Sequence, residues 1–349
     1  MILSNTAPPT QRKQMEELFP NVNASIKFPR LHRLALGLES GGFETEAERK
    51  GFDINIQDSV GRTALLWACL RGDARSAQWL LTRGADPNIA DRDIGRTPLM
   101  AACSCVSLAC IKMLLEYGAD INARNEFDLD ALIYVCDEDR NPQPITEIIE
   151  AANLLIECGI DLHPRGANGT WCLARAARTQ IIELMELIIS RGVNVDYQNQ
   201  FRQTTLLRSI AWSASRSAEY LLNCGAAYTG DVATDVDGRT ILHYAALNPS
   251  MEMIQVLLDA SLARLDPDVT DNAGLTAEDY MNKAEGLVDG FVPAFLHLLS
   301  DVRIRFQAQE RAASNSSGWI DQDDTDECEF VDALQWPTTA IPEAVFASP

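Results

Sequence analysis

The sequence predicts an all-α solenoid of about seven to eight helix–turn–helix units, stacked in a row and joined by short β-hairpins or turns. Three observations carry this. The stretch GRTALLWACLRGDARSAQWLLTRGADPN at 61–88 returns as GRTPLMAACSCVSLACIKMLLEYGADIN at 95–122, about 34 residues later. Three landmarks keep their order in both copies: G-R-T-x-L, a run of small residues, then L-L-x-x-G-A-D-x-N. Between them the apolar residues recur at helical spacing.

Each landmark has a physical task. The Gly permits a tight turn. The Thr is a good N-cap, its hydroxyl accepting an orphan N–H of the first helical turn. Leu and Ala then give a short helix with a narrow apolar face, and small Ala and Cys let a neighbouring helix approach closely. Leu80-Leu81 and Leu114-Leu115 mark a second helix. Gly84 and Gly118 are placed for left-handed C-caps, with turn-forming Asp and Asn after them.

With these residues in view, the unit resembles the ankyrin repeat, two antiparallel helices and a turn with a T-P-L-H-x-A pattern. The likeness runs over roughly residues 28 to 300. Leu31-His32 stands one period before Leu65-Leu66, and its unit ends in GFDIN. Its second helix, near FETEAERK, is polar, which suits an N-terminal cap. Unit four runs through DLDALIYVC, the insertion DEDRNPQP and AANLLIECGIDL; unit five is NGTWCLARAARTQIIELMELIISRGVNV. RQTTLLRSIAWSASRSAEYLLNCGAAY and DGRTILHYAALNPSMEMIQVLLDA follow, then NAGLTAEDYM. FVPAFLHLLSDVRIRF closes the series, with Phe291, Phe295, Leu298, Leu299 and Val302 on one stripe. Asp130 and Trp171 replace the turn Thr in units four and five, so altered hairpins or looser packing are expected there. The phrases LHRLALGL and DECEFVDAL are similar to fungal members of the family.

This division gives a partly ordered segment over 1–27, the array over 28–306 and an acidic tail over 307–349. SNSSG reads as a linker, and WIDQDDTDECEFVDALQW beyond it as disordered when alone.

Composition limits the partners. The 349 residues are 46% hydrophobic and 23% charged, with net charge −21. Phosphate-backbone affinity comes mostly from Lys and Arg, so neither a nucleic acid nor an anionic membrane surface is expected. No stretch approaches a membrane span, and the N-terminus has no signal-peptide core. Nine cysteines without a secretory signal read as reduced thiols in the cytoplasm or nucleus.

The sequence gives no catalytic constellation, and no cofactor or metal is expected. His32 and His243 hold the fourth position of the T-P-L-H pattern, where the resemblance implies a hydrogen bond to the neighbouring turn. Cys103, Cys105 and Cys110 lack a second pair at zinc spacing and read as small filler or exposed thiol. DVDG at 235–238 lacks the further ligands of a calcium loop and reads as a hairpin. Asn88 and Asn122 take the hairpin position that is sometimes hydroxylated in ankyrin proteins; a turn-forming role is the simpler reading.

The resemblance implies a non-catalytic protein-interaction scaffold or adaptor, here a monomer, binding through a long concave face of hairpin tips and first-helix ends. Residues looking into it would be Leu70-Arg71, Ser104-Cys105, Asp137-Glu138, Arg178-Thr179 and Ala211-Trp212, with Val60, Phe127 and Phe201 as fingertips. Trp212 is either a hot spot on the groove or packed against its neighbours. The two Phe lean towards core or inter-finger packing, and Asp137–Asp139 towards a solvated loop. In the tail, acids interleaved with Trp319, Phe330 and Trp336 read as a linear motif, with a regulatory effector as the alternative function. A plain solubilising tail or docking on the repeats are the other readings of it.

Overall fold

The computed structural model describes residues 29–35, 52–136, 144–162, 172–284 and 287–317. The chain divides into two units, Met1–Gln307 and Ala308–Pro349. The first holds paired helices. They are α1 (Arg30–Ala35), α2 and α3 (Ala64–Leu70, Ala74–Thr82), α4 and α5 (Pro98–Ser104, Leu108–Glu116), and α6 and α7 (Ala131–Val135, Ile145–Glu157). There follow α8 and α9 (Cys172–Thr179, Ile182–Ser190), α10 and α11 (Thr205–Ala211, Ser215–Asn223), and α12 and α13 (Ile241–Leu247, Met251–Asp259). Last come α14 (Ala277–Lys283) and α15 (Phe291–Ser317). Among the described residues the β-pairing is one isolated bridge between Gln57 and Thr63, so the connections are turns rather than full hairpins.

First helices pack on first helices, α2 on α4, α4 on α6 and so on to α14; second helices form a parallel layer, α3 on α5 through α11 on α13. The sequence enforces this. Ala101, Ala102 and Cys103, or Ala176 and Ala177, are wholly buried, and their small side chains let adjacent helices close up. The N-caps work as read: Thr63, Thr97, Thr204 and Thr276 each accept a hydrogen bond from the backbone N–H three residues on, at 3.2 to 3.3 Å.

Unit four corrects an expectation. Asp130 is an N-cap too, its carboxylate accepting from Ile133 N at 3.0 Å, and the preceding turn is regular. A carboxylate has the same reach as a threonine hydroxyl, so the substitution preserves the helix cap. Trp171 lies outside the described residues.

The turn between paired helices carries a left-handed residue in each of four units: Gly72, Val106, Gln180 and Ser213, at φ 52–63°. The stripe Phe291, Phe295, Leu298, Leu299 and Val302 is buried as read, with the two Phe rings 5.7 Å apart. The reading of SNSSG as a linker is corrected: α15 continues through Ser317. Gln, Glu, Arg and Ala are strong helix formers and Asp301 pairs with Arg305 one turn away, so the polar continuation stays helical.

Candidate interaction surface

Each described fingertip is organised by one buried Asp or Asn. The side-chain oxygen of Asp58, Asn125, Asn199, Asp235 and Asp271 accepts from the backbone N–H groups two and four residues on, at 2.8 to 3.0 Å. Asp91 does the same for Ile94 and Arg96 across a turn one residue longer. At four of these keystones the other side-chain atom is held by an aromatic nine residues downstream. Trp67 Nε1 donates to Asp58 at 2.8 Å, Tyr244 hydroxyl to Asp235 at 2.7 Å and Tyr280 hydroxyl to Asp271 at 2.6 Å; Asn125 Nδ2 donates to Tyr134 at 2.9 Å. Burial and the bond to Asp235 push the Tyr244 hydroxyl up to about 12. DVDG is therefore a hairpin turn with Asp235 as its keystone. The sequence reading missed this pairing, although the nine-residue spacing was legible.

Adjacent fingertips are tied by backbone rungs: Arg92 N to Val60 O, Glu126 N to Ile94 O, Val236 N to Phe201 O, and Asn272 N to Asp237 O, at 2.8 to 3.0 Å. At Gly61 (φ 80°) a Cβ would lie 2.9 Å from Arg92 N, so the first rung requires glycine. Below the tips the hairpin Asn residues bridge units. Asn55, Asn88 and Asn122 accept from Asp86, Asp120 and Asp161 N at 2.7 to 2.9 Å. Asn88 and Asn122 thus hold the stack together, beyond forming turns.

Phe127 and Phe201 do not pack inward, against the leaning of the sequence. They are 55% and 49% exposed. The reason is the keystone: their N–H groups are bound to Asn125 and Asn199, which fixes both at the apex of the turn with side chains outward. Val236, 44% exposed, joins them, and Val60 and Ile94 are half-buried at equivalent turns. Ile94 and Val236 were not picked out by sequence.

At the helix ends the structure is mixed. Leu70 is half-buried against the core. Arg71 is exposed, yet its guanidinium donates to Ala35 O at 3.0 Å, capping the preceding unit. Ser104 and Thr179 bend their hydroxyls back to Ala101 O and Ala176 O at 2.8 Å. Cys105 Sγ meets Cys69 O at 3.2 Å. Arg178 is exposed at the end of α8. Trp212 is half-buried, packed on the core through Ala211 and its own ring, with the Arg208 guanidinium 4.4 Å from the ring centroid. Asp137, Glu138, His163, Trp319, Phe330 and Trp336 lie outside the described residues.

The two histidines behave as read. His32 Nε2 bonds Arg62 O at 2.7 Å and His243 Nε2 bonds Leu275 O at 3.1 Å, each reaching the next unit's turn. Thr240 N donates to His243 Nδ1 at 3.1 Å, so Nε2 carries the proton. Burial lowers the pKa of both imidazoles. Five of the described thiols are buried, Cys105 is half-buried, and Cys158 and Cys224 are exposed. Cys69 and Cys103 are wholly buried; a hydrogen bond from Cys69 brings the Cys110 thiol down to about 7, while Cys69 itself is pushed well up. Among the described residues no three His, Cys, Asp or Glu side chains are grouped as a metal would need, and no helix is long and apolar enough to cross a membrane.

Comparison with known proteins agrees with this architecture. The family described as ankyrin repeats (3 copies) matches residues 42–125, and a single ankyrin repeat matches 237–266. The chain is 26% identical over 218 residues to the ankyrin repeat domain-containing protein SAT10 of Stachybotrys chartarum, covering 62% of this chain and 10% of that protein. It is 25% identical over 250 residues to the E3 ubiquitin-protein ligase KEG of Arabidopsis thaliana, covering 60% of this chain and 15% of that protein. The chain thus matches only a small part of either relative. The human ASB11 ankyrin repeat domain is a structural neighbour, with TM-score 0.56 and 23% identity, over 68% of this chain and 98% of that domain.

Proposed function

From a chain that carries ankyrin repeats and folds as their solenoid, we propose that the protein is a non-catalytic interaction scaffold or adaptor. It binds a partner protein along the fingertips and first-helix ends, as a monomer in the cytoplasm or nucleus. The observation that carries the reading is the exposure of Phe127 and Phe201 on turns whose backbone is fully committed. Exposed aromatics on a rigid frame lose little entropy on binding and make good anchors. The eight described cysteines are free thiols, which supports a reducing compartment.

The test is quantitative affinity capture from a matched extract, comparing the wild type with Phe127→Ser/Phe201→Ser, with Trp212→Ala, and with a second-helix variant, Glu219→Ser. Loss of the same proteins from the first two but not the third supports the surface. Equal capture by all four counts against it. A separate reading gives the acidic–aromatic tail an effector role, supported by Trp319, Phe330 and Trp336 set among carboxylates. Fusion of residues 314–349 to a DNA-binding module tests it by reporter output.

A further inference from the structure

We propose that Arg96, at the base of the third unit's fingertip, anchors a carboxylate of a partner protein, in a segment that sets a large apolar side chain next to that acid. This rests on the groove reading above and gives its partner a chemistry.

Three arginines share one register, a single residue before the cap Thr: Arg62, Arg96 and Arg239. Two of them send Nε into the next unit. Arg62 Nε donates to Asp91 at 3.3 Å, and Arg239 Nε to the Tyr280 hydroxyl at 3.3 Å. Each also meets an exposed fingertip carboxylate, Asp93 for Arg62 and Asp237 for Arg239. Arg96 does neither. Its Nε is buried with no hydrogen-bond acceptor, and among the described residues its guanidinium makes no ion pair. It lies instead over the Tyr134 ring, 5.4 Å from the centroid.

The cause is the neighbouring keystone. Arg62 finds its acceptor in the keystone of the next unit, Asp91. The keystone that follows Arg96 is the neutral Asn125. Its Oδ1 is taken by Phe127 N and Leu129 N, and its Nδ2 turns to the Tyr134 hydroxyl at 2.9 Å. The two tips are close: a Cβ on Gly95 would lie 3.6 Å from Asn125 Cα. The other acids around them are engaged, Asp91 and Asp93 with Arg62, Asp128 and Asp130 with Arg124. Glu126 is exposed on the next tip and reaches no cation among the described residues.

A half-buried guanidinium with a desolvated, unanswered N–H has lost water without gaining an acceptor. A carboxylate arriving there meets a cation whose desolvation is already partly made. The aromatic ring takes one face of the guanidinium and leaves in-plane N–H groups for an oxygen. Apolar surface adjoins the site. Ile94 is half-buried on the tip of Arg96 and Phe127 is exposed on the next, and the rung from Glu126 N to Ile94 O, at 2.9 Å, ties the two tips. A single acid beside an apolar side chain matches this pair. A nucleic acid needs many phosphate contacts and meets a chain of net charge −21.

The test uses the full chain and fluorescein-labelled peptides in which Asp or Glu adjoins Phe or Leu. Counterparts carry Asn and Gln in place of the acids, and a labelled single-stranded DNA is run beside them. By fluorescence polarisation at low salt, the acidic peptides are expected to bind at least ~tenfold more tightly than the amide set. Arg96→Gln is expected to remove the margin, and Arg216→Gln, exposed on α11, to retain it. Asn125→Asp leaves Arg96 in place and supplies the internal carboxylate that Asp91 supplies to Arg62. Asp keystones already bond Tyr at Asp235 and Asp271, so the fingertip keeps its frame, and the margin is expected to fall at least ~threefold. Should Arg96→Gln melt early by circular dichroism, Asn125→Asp decides. Equal binding of the two peptide sets, a margin that survives Arg96→Gln or Asn125→Asp, its loss in Arg216→Gln as well, or tighter binding of the DNA overturns the proposal. If the acid preference is absent while Phe127→Ser/Phe201→Ser still weakens the amide peptides, the groove stands without this selectivity. If neither set of substitutions changes binding, the groove reading fails with it.

Discussion

A buried carboxylate at a fingertip needs every lone pair occupied, and Asp235 shows how the chain meets this. One oxygen takes two backbone N–H groups and the other takes the Tyr244 hydroxyl. Tyr244→Phe keeps the ring and removes one donor to a charged acceptor. It is expected to cost about 1.5–3 kcal/mol in urea unfolding. Ser213 presents the opposite case. It sits at φ 55°, where glycine is at ease and a Cβ is crowded, and Gly72 fills the equivalent turn. Ser213→Gly is expected to raise stability by about 1 kcal/mol, read as a higher melting temperature. A drop instead would mean that the flexibility glycine adds to the unfolded chain outweighs the relief.

At the scale of the helix, the short first helices depend on their caps. None of α2, α4, α10 or α12 exceeds 7 residues, so one cap serves a large share of the element. Asp130 does for α6 what Thr97 does for α4. Asp130→Ala is expected to cost about 1–2 kcal/mol, whereas Asp130→Thr, which restores the residue used by other units, should change stability by less than about 0.5 kcal/mol. Burial raises the Asp130 pKa, so the threonine also removes a carboxylate that pays for its desolvation. Chemical denaturation of the two variants separates capping from charge. A large loss in Asp130→Thr would assign the role to the Arg124 ion pair at 3.7 Å instead.

Across the whole molecule, the stack is a chain of neighbour interfaces, and two of them run through neutral histidines. His32 and His243 are held below their ordinary value of 6.5 mainly by burial. A base whose folded pKa lies below its unfolded value binds more protons when unfolded. Folding stability therefore rises with pH from the folded pKa up to about 6.5, and is lost as pH falls through that window. Urea midpoints at about pH 5.5 and about pH 7.5 should differ in favour of the higher pH, and His243→Gln should flatten the difference. An unchanged slope in that variant would place the titration elsewhere. For the groove, the same stacking sets the function: Phe127 and Phe201 stand on different fingers, so binding that needs both reports the intact array.

The sequence by itself determined the repeat, its period, its caps and the closing stripe, while the family resemblance implied the turn-directed histidines. The caps and the stripe are local: a Thr before a Leu run and a Gly after a helix each act within a few residues, and repetition amplifies the signal. Tertiary structure decided what lies far apart in the chain. It turned Phe127 and Phe201 outward, because a keystone amide fixed the apex of each turn. It kept the first helix of unit four capped, because a carboxylate has the reach of a hydroxyl. It set the Arg96 guanidinium over the Tyr134 ring of the next unit, where the keystone Asn125 carries no charge. Residues separated by a full period become neighbours only when units stack, and no local pattern records which of their charges will then share a face.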